Sequence, residues 1–175
     1  MPAPDLVITI LHFDDEVETV SGIPDALFNL YTSERAGWVS DGDCRYKKYV
    51  EEFVIRAPNH SPVRIRYVLT AELEACRQHL TELNPQTDVA IFDLMREDPG
   101  KGQLDAIGKE LYLEARRHGL SPERVFILSG FPNIIAGTFR TTEYDSRQLL
   151  QKPISTTDIA GKLARLLPTY VRLDT

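Results

Sequence analysis

Four short apolar runs punctuate the chain: "LVITILHF" (6–13), "VRIRYVL" (63–69), "DVAIFDL" (88–94) and "RVFILSG" (124–130). Each is short and rich in β-branched or aromatic residues, so each predicts a strand. Three are nearly continuous in apolar residues, which suits strands covered on both faces. "QLLQ" (148–151) is a weaker fifth. Between the runs the spacing turns helical. Pro24 to Tyr31 predicts a helix with proline in its first turn. "TAELEACRQHLTEL" (70–83) repeats Leu73, Cys76, Leu80 and Leu83 on one face, with Thr70 as its cap. "AIGKELYLEARRHG" (106–119) ends in basic residues and then Gly119, a C-terminal stop. "STTDIAGKLARLL" (155–167) opens with Ser155 and Asp158 spaced as a capping box, and Pro168 blocks its extension.

Strands alternating with helices predict an α/β domain built on a mainly parallel sheet with right-handed crossovers. Residues 32–62 break that rhythm. They are polar, with turn signals at Asp41-Gly42 and Pro58-Asn59. Within them "YVEEFVIR" (49–56) suits an extra strand pairing with 63–69 through a turn at 58–62. The whole stretch reads as an insertion in a single domain spanning 1–175.

Composition narrows the function classes. The chain has 175 residues, 42% of them hydrophobic, and a formal net charge of -6; its pI is about 5.2. No basic patch offers phosphate contacts, which argues against nucleic acid or an anionic membrane as the main partner. Arg64 and Arg66, on a strand-like run, and Arg116 and Arg117, on a helix-like run, read as solvated faces. Cys44 and Cys76 have no metal-binding spacing and read as reduced thiols. The N-terminus lacks the regions of a secretion signal, and no apolar run approaches membrane-spanning length. A soluble, cytoplasmic protein is expected, which makes the Asn59-His60-Ser61 tripeptide a chance match to a glycosylation acceptor.

In open α/β sheets ligands bind beyond the carboxyl ends of the strands. At those ends this sequence places Asp14 and Asp15, then Asp93, then Ser129, then Lys152 followed by Pro153. Clustered carboxylates repel, and a hard divalent ion with oxygen ligands, Mg²⁺ above all, relieves that repulsion. A carboxylate can also act as a nucleophile and form an aspartyl-phosphate. Phosphoryl transfer needs positioning and charge neutralisation, to which a metal, an ammonium and a hydroxyl all contribute.

Taken in order, "ILHFDDE", "IFDLM", "ILSG" and "QKP" resemble the four signatures of response-regulator receiver domains, the phospho-accepting halves of two-component signalling systems. The likeness covers most of the chain and is poorest over 32–62. It implies a flavodoxin-like, doubly wound, five-stranded parallel sheet in the order 2-1-3-4-5, with helices on both faces and the insertion before the second strand. It further implies Asp93 as phospho-acceptor. Asp14 and Asp15 would hold Mg²⁺ together with Asp93, Asp15 directly and Asp14 partly through water. The backbone carbonyl of Met95 would complete the protein ligands. Ser129 would bind a phosphoryl oxygen, Lys152 would pair with the acyl phosphate, and the Lys152–Pro153 bond would be cis. The implied partners are a histidine kinase or phosphotransfer protein and a downstream protein, with a second copy of the chain as another option.

The sequence also departs from that pattern. The interval from Asp15 to Asp93 is long, as is "MREDPGKGQLDAI" after the acceptor, and Leu149 stands where the family often has Phe or Tyr. After Lys152 only 23 residues remain, enough for a last helix and a short tail but not for an output domain. These departures motivate an alternative, a phosphorylation-independent pseudo-receiver acting as an interaction module. A third reading, a Mg²⁺-dependent phosphatase of the haloacid dehalogenase type, expects a second Asp two residues after the nucleophile. Met95 stands there instead, so no enzyme beyond self-phosphorylation and autodephosphorylation is expected.

Each feature also has a plain reading. Asp14 and Asp15 suit a helix N-terminus, Asp93 a cap or turn, Ser129-Gly130 a turn, and Lys152 a solvated surface. His12 reads as a packed core or edge histidine. His60, His79 and His118 are scattered. "GKGQ" (100–103) lacks the pattern of a phosphate loop, and Trp38 suits a small satellite core.

Overall fold

The computed structural model describes residues 6–33, 39–40, 45–47, 50–56, 62–82, 86–98, 103–130, 139 and 146–166. Its elements in chain order are β1 (Leu6–Phe13), α1 (Val17–Val20), α2 (Ile23–Ser33), β2 (Val39–Ser40), β3 (Arg45–Lys47), β4 (Val50–Arg56), β5 (Val63–Thr70) and α3 (Leu73–Thr81). There follow β6 (Thr87–Asp93), β7 (Arg96–Asp98), β8 (Gln103–Asp105), α4 (Ile107–Arg117), β9 (Val125–Ser129), β10 (Leu149–Gln151) and α5 (Thr156–Leu166).

The strands of the central sheet lie in the order β10-β9-β6-β1-β5-β4-β2, with β3 also paired to β4. From β10 through β5 every pairing is parallel. β4 runs antiparallel to β5, and β2 and β3 antiparallel to β4. The sheet is therefore mixed and wider than the five parallel strands expected. β4 supplies the reason: its consecutive Phe53, Val54 and Ile55 are all buried, which gives a strand that can add to the edge of β5.

Alternation along the strands builds two cores. Ile8, Ile10, Ile65, Val89, Ile91 and Leu128 project to one face, against Ile23, Leu27 and Leu30 of α2 and Ile159, Ala160 and Leu163 of α5. Leu11, Phe13, Ala90, Phe92 and Ile127 project to the other, against Cys76 and Leu80 of α3 and Leu111, Tyr112 and Ala115 of α4. A strand apolar at both parities needs cover on both faces, and the helices provide it.

Several boundaries differ from expectation. α3 starts at Leu73 rather than Thr70, because Thr70 is held in β5 opposite Phe13 of β1. Thr70 still organises the turn, since its Oγ1 accepts the Glu72 N–H at 3.0 Å. The long stretch after Asp93 folds in part as an antiparallel hairpin of β7 and β8. α5 begins as anticipated: the Asp158 N–H donates to Ser155 Oγ at 3.1 Å, while the Ser155 hydroxyl donates to Asp158 Oδ2 at 2.7 Å. Gly119 follows α4 at φ 93°, the left-handed conformation that favours glycine at a helix end. Arg64 and Arg66 are not merely solvated. They lie 3.4 and 3.7 Å from Glu52 across the β4–β5 pair. Leu83, Pro168, Trp38, Cys44, the 59–61 tripeptide and residues 100–102 lie outside the described residues.

Candidate functional site

Parallel pairing brings the carboxyl ends of β1, β6, β9 and β10 to one edge. The β1 ladder runs one residue past the strand, with the Asp14 N–H donating to Thr70 O at 3.2 Å. Asp14 Oδ1 then accepts the Glu16 N–H at 2.9 Å, which turns the chain toward α1. This leaves Asp14 buried and Asp15 exposed. Asp93 closes β6 at 7% exposure, and the next N–H, of Leu94, donates to Leu128 O at 2.8 Å. Ser129 closes β9 and is buried; its carbonyl accepts the Lys152 N–H at 2.8 Å. The Lys152–Pro153 peptide bond is cis.

Lys152 is the hub. Its Nζ lies 3.1 Å from Asp93 Oδ2, 3.2 Å from Asp14 Oδ2 and 3.9 Å from Glu16 Oε2. Asp14, Asp15 and Asp93 each place a carboxylate oxygen within 4.8 Å of the others. Residues distant in sequence thus meet in one acidic cluster around one ammonium. Met95 is partly buried against the α3/α4 core. Ser129 sits on the neighbouring strand tip, one residue beyond the register partner of Asp93.

Burial pushes Asp93 up to about 6; Lys152 pulls against that, and the charges of Asp14 and Asp15 add to the rise. Burial also works on Asp14, but the His12 N–H and the Lys152 ammonium outweigh it and hold that carboxyl below its usual range. Burial opposes the charge on Lys152, yet Asp14 and Asp93 more than compensate and raise it. The resting site is therefore a partly desolvated ion cluster with more negative than positive charge.

His12 is fully buried, as expected of a packed histidine, and it also touches the site: Nε2 lies 3.8 Å from Asp14 Oδ2. Burial lowers its pKa, so the ring is neutral. Nδ1 lies 2.7 Å from the Tyr67 hydroxyl. Burial raises Tyr67 well above the ordinary phenol value, so that hydroxyl keeps its proton and can donate it to Nδ1. That bond leaves the ring proton on Nε2, toward Asp14.

The donor set fits a hard cation. Among the described residues the cluster consists of three carboxylates, the oxygen chemistry Mg²⁺ prefers. Asp14 Oδ2 is buried and makes no hydrogen bond; the Lys152 ammonium at 3.2 Å and the His12 ring at 3.8 Å face it. Such an orphaned oxygen is available for ligation.

Two contributors escape sequence reading. Tyr67 reaches the site only through the β1–β5 register, which opposes it to Ile10 and brings it beside His12. Gly108, in the first turn of α4, lets that helix approach the end of β6. A Cβ there would stand 2.4 Å from Asp93 O and 2.6 Å from Leu94 Cα. A glycine inside a helix-like run signals close packing in general, but not its partner.

No protein-family model matches the chain, and comparison with curated proteins returns no match. Among solved structures, the chain is similar to a response regulator receiver domain protein from Clostridium thermocellum, at 16% identity and a TM-score of 0.50. The match covers 93% of this chain and 96% of that one. At that identity the similarity speaks to the fold: the chain has the fold of a receiver domain.

Proposed function

We propose that this receiver-fold chain is a phospho-accepting module of a two-component phosphorelay. One observation carries the reading: a lysine from the β10 tip stands 3.1 Å from the buried Asp93 and 3.2 Å from Asp14, inside a three-carboxylate cluster. In this reading an oxygen of Asp93 attacks the phosphorus of a phosphohistidine on a kinase or phosphotransfer protein. The P–N bond breaks, its electron pair stays on the imidazole nitrogen, which takes up a proton, and an acyl phosphate forms on Asp93. Lys152 then faces the added negative charge, and the Ser129 hydroxyl donates to a phosphoryl oxygen. Asp14, Asp15, Asp93 and the Met95 carbonyl would hold Mg²⁺. That ion offsets the charge of the carboxylates and of the incoming phosphoryl oxygens.

Residues 1–175 form one domain in this reading, with 32–62 inserted, working in the cytoplasm. Among the described residues no helix is long and apolar enough to cross a membrane. Output is a protein–protein contact, with a downstream partner or a second copy, because phosphorylation adds about -1.5 to -2 charges at pH 7 and can bias a surface. Acetyl phosphate with Mg²⁺ should add one phosphate, which intact-mass measurement would detect. Equal uptake by Asp93→Ala would remove Asp93 from the role.

A second reading, the constitutive interaction module, draws on the β7–β8 hairpin that follows Asp93 and on Leu149 at the usual aromatic position. It predicts that Asp93→Asn leaves partner binding unchanged.

A further inference from the structure

Beside that site and sharing Tyr67 with it, on the sheet face covered by α1 and α2, lies a cavity of about 150 Å³ lined by Val17, Ser21, Pro24, Glu51, Tyr67 and Leu69. Its walls are mostly apolar. The exception that matters is Glu51. Glu51 and Tyr67 are register partners across the β4–β5 pair, so both leave the sheet on the face of Phe53 and Ile55. Glu52, one residue on, points to the opposite face and takes both arginines of β5. Among the described residues Glu51 meets no counter-charge: its Oε2 is buried and makes no hydrogen bond. The hydroxyl of Tyr67, its register partner, is engaged with His12. No cation is among the described residues lining the cavity. Burial, with the charge of Asp25 adding to it, pushes the Glu51 carboxyl up to about 7. A desolvated carboxylate with an orphaned oxygen in an open cavity is a group short of its partner.

We propose that this cavity binds one ammonium or guanidinium head group on a short alkyl stem. The head group would donate to Glu51, and the stem would lie against Val17, Pro24 and Leu69. The volume suits that class, since an apolar cavity of roughly 150 Å³ holds one benzene-sized molecule. A bare metal ion fits worse: Ca²⁺ takes about six to eight oxygen ligands and Mg²⁺ an octahedral set, and one carboxylate with two hydroxyls does not supply them. The head group can come from a small free amine or from a lysine or arginine of a partner, and the chemistry is the same for both.

The test is an amide-shift titration of the full chain at about pH 8, where Glu51 is ionised. The probes are propylammonium chloride, Nα-acetyl-lysine N-methylamide and uncharged 1-butanol. The two cations should give saturable shifts at Val17, Ser21, Glu51, Tyr67 and Leu69 in the millimolar range. Tighter binding of propylammonium identifies a free amine; tighter binding of the lysine amide identifies a partner's side chain. Glu51→Gln keeps the shape and should weaken the cations about tenfold or more. Ser21→Phe, which fills the rim from a position with ordinary helical φ and ψ, should abolish binding and guards against an unfolded Glu51 variant. The proposal is overturned if neither cation saturates, if 1-butanol binds as well as propylammonium, or if folded Glu51→Gln binds as the wild type does.

Discussion

Gly108→Ala sets two effects of opposite sign against each other. In an isolated helix, alanine is better than glycine by about 1 kcal/mol. At this position the new Cβ would stand 2.4 Å from Asp93 O, 2.6 Å from Leu94 Cα and 2.9 Å from Asp93 C. All three are backbone atoms at the end of β6, so no side chain can swing aside. To restore ordinary contact, the first turn of α4 must withdraw by about 1 Å. That movement strains or breaks the bond from the Gly108 N–H to Leu94 O, now 3.1 Å. Overpacking costs about 1–3 kcal/mol and a lost hydrogen bond about 1 kcal/mol. Steric strain should therefore win, for a net loss of about 2 kcal/mol, or a Tm lower by about 4–8 °C in a chain of this size. The Asp93 backbone would be displaced along with the helix, and misplacement on that scale can slow chemistry about a hundredfold. The measurements are thermal unfolding by circular dichroism and the rate of phosphate uptake from acetyl phosphate. Gly161→Ala in α5 is the control, because a Cβ there meets no described atom within 4 Å. It should gain about 0.5–1 kcal/mol. If Gly108→Ala is as stable as the wild type, or if Gly161→Ala loses as much, the packing argument is wrong.

Three further outcomes are expected. Lys152→Ala should destabilise the Mg²⁺-free protein by about 1–3 kcal/mol, since it strips a buried Asp14 of its counter-charge while Lys152 itself is part-exposed; added MgCl₂ should recover most of the loss, and a Tm unaffected by MgCl₂ would count against the metal site. The Glu51 carboxyl sits near 4.5 when unperturbed and at about 7 in the fold, so the folded chain binds more protons between those values, and stability falls as pH rises through that window and levels off above it. Glu51→Gln should therefore gain about 1–2 kcal/mol over wild type near pH 8, after discounting for partial exposure, and almost nothing near pH 4; urea melts giving the same difference at both pH values would refute this. Tyr67→Phe leaves His12 Nδ1 buried without its partner and should cost about 1–3 kcal/mol in urea unfolding, an expectation that a neutral result would overturn.

Much of this architecture is written in local pattern. The apolar runs that became β1, β5, β6 and β9 are legible because burial on both faces demands continuous hydrophobicity. The convergence of Asp14, Asp93 and Lys152 follows once the strands are parallel, since strand tips then share an edge. What stays hidden depends on distant pairing. Thr70 has cap chemistry, but its partner Phe13 holds it in the ladder. Arg96, Glu97 and Asp98 carry no strand-like hydrophobicity, and their pairing with residues 103–105 is invisible locally. Gly108 looks like a weak helix position until Asp93 is seen beneath it.

The β4–β5 register decides more than the width of the sheet. Without β4, β5 would be an edge, with unpaired backbone groups along residues 63–68. With it, Phe53 and Ile55 complete the core over α2. Because side chains alternate with a period of two, that choice also fixes the charges. Glu52 must face away from α2, where Arg64 and Arg66 meet it, and Glu51 must face toward α2, where its Oε2 finds no hydrogen bond. A slip by one residue would pair Glu51 with the arginines and strand Glu52 instead, but it would also turn Phe53 and Ile55 out of the core. Burying those two side chains is worth about 3–6 kcal/mol, more than the penalty for one unpaired carboxylate that can protonate or bind a cation. The orphaned Glu51 is thus the consequence of a register the core enforces, and the cavity beside it lies where that consequence can be put to use.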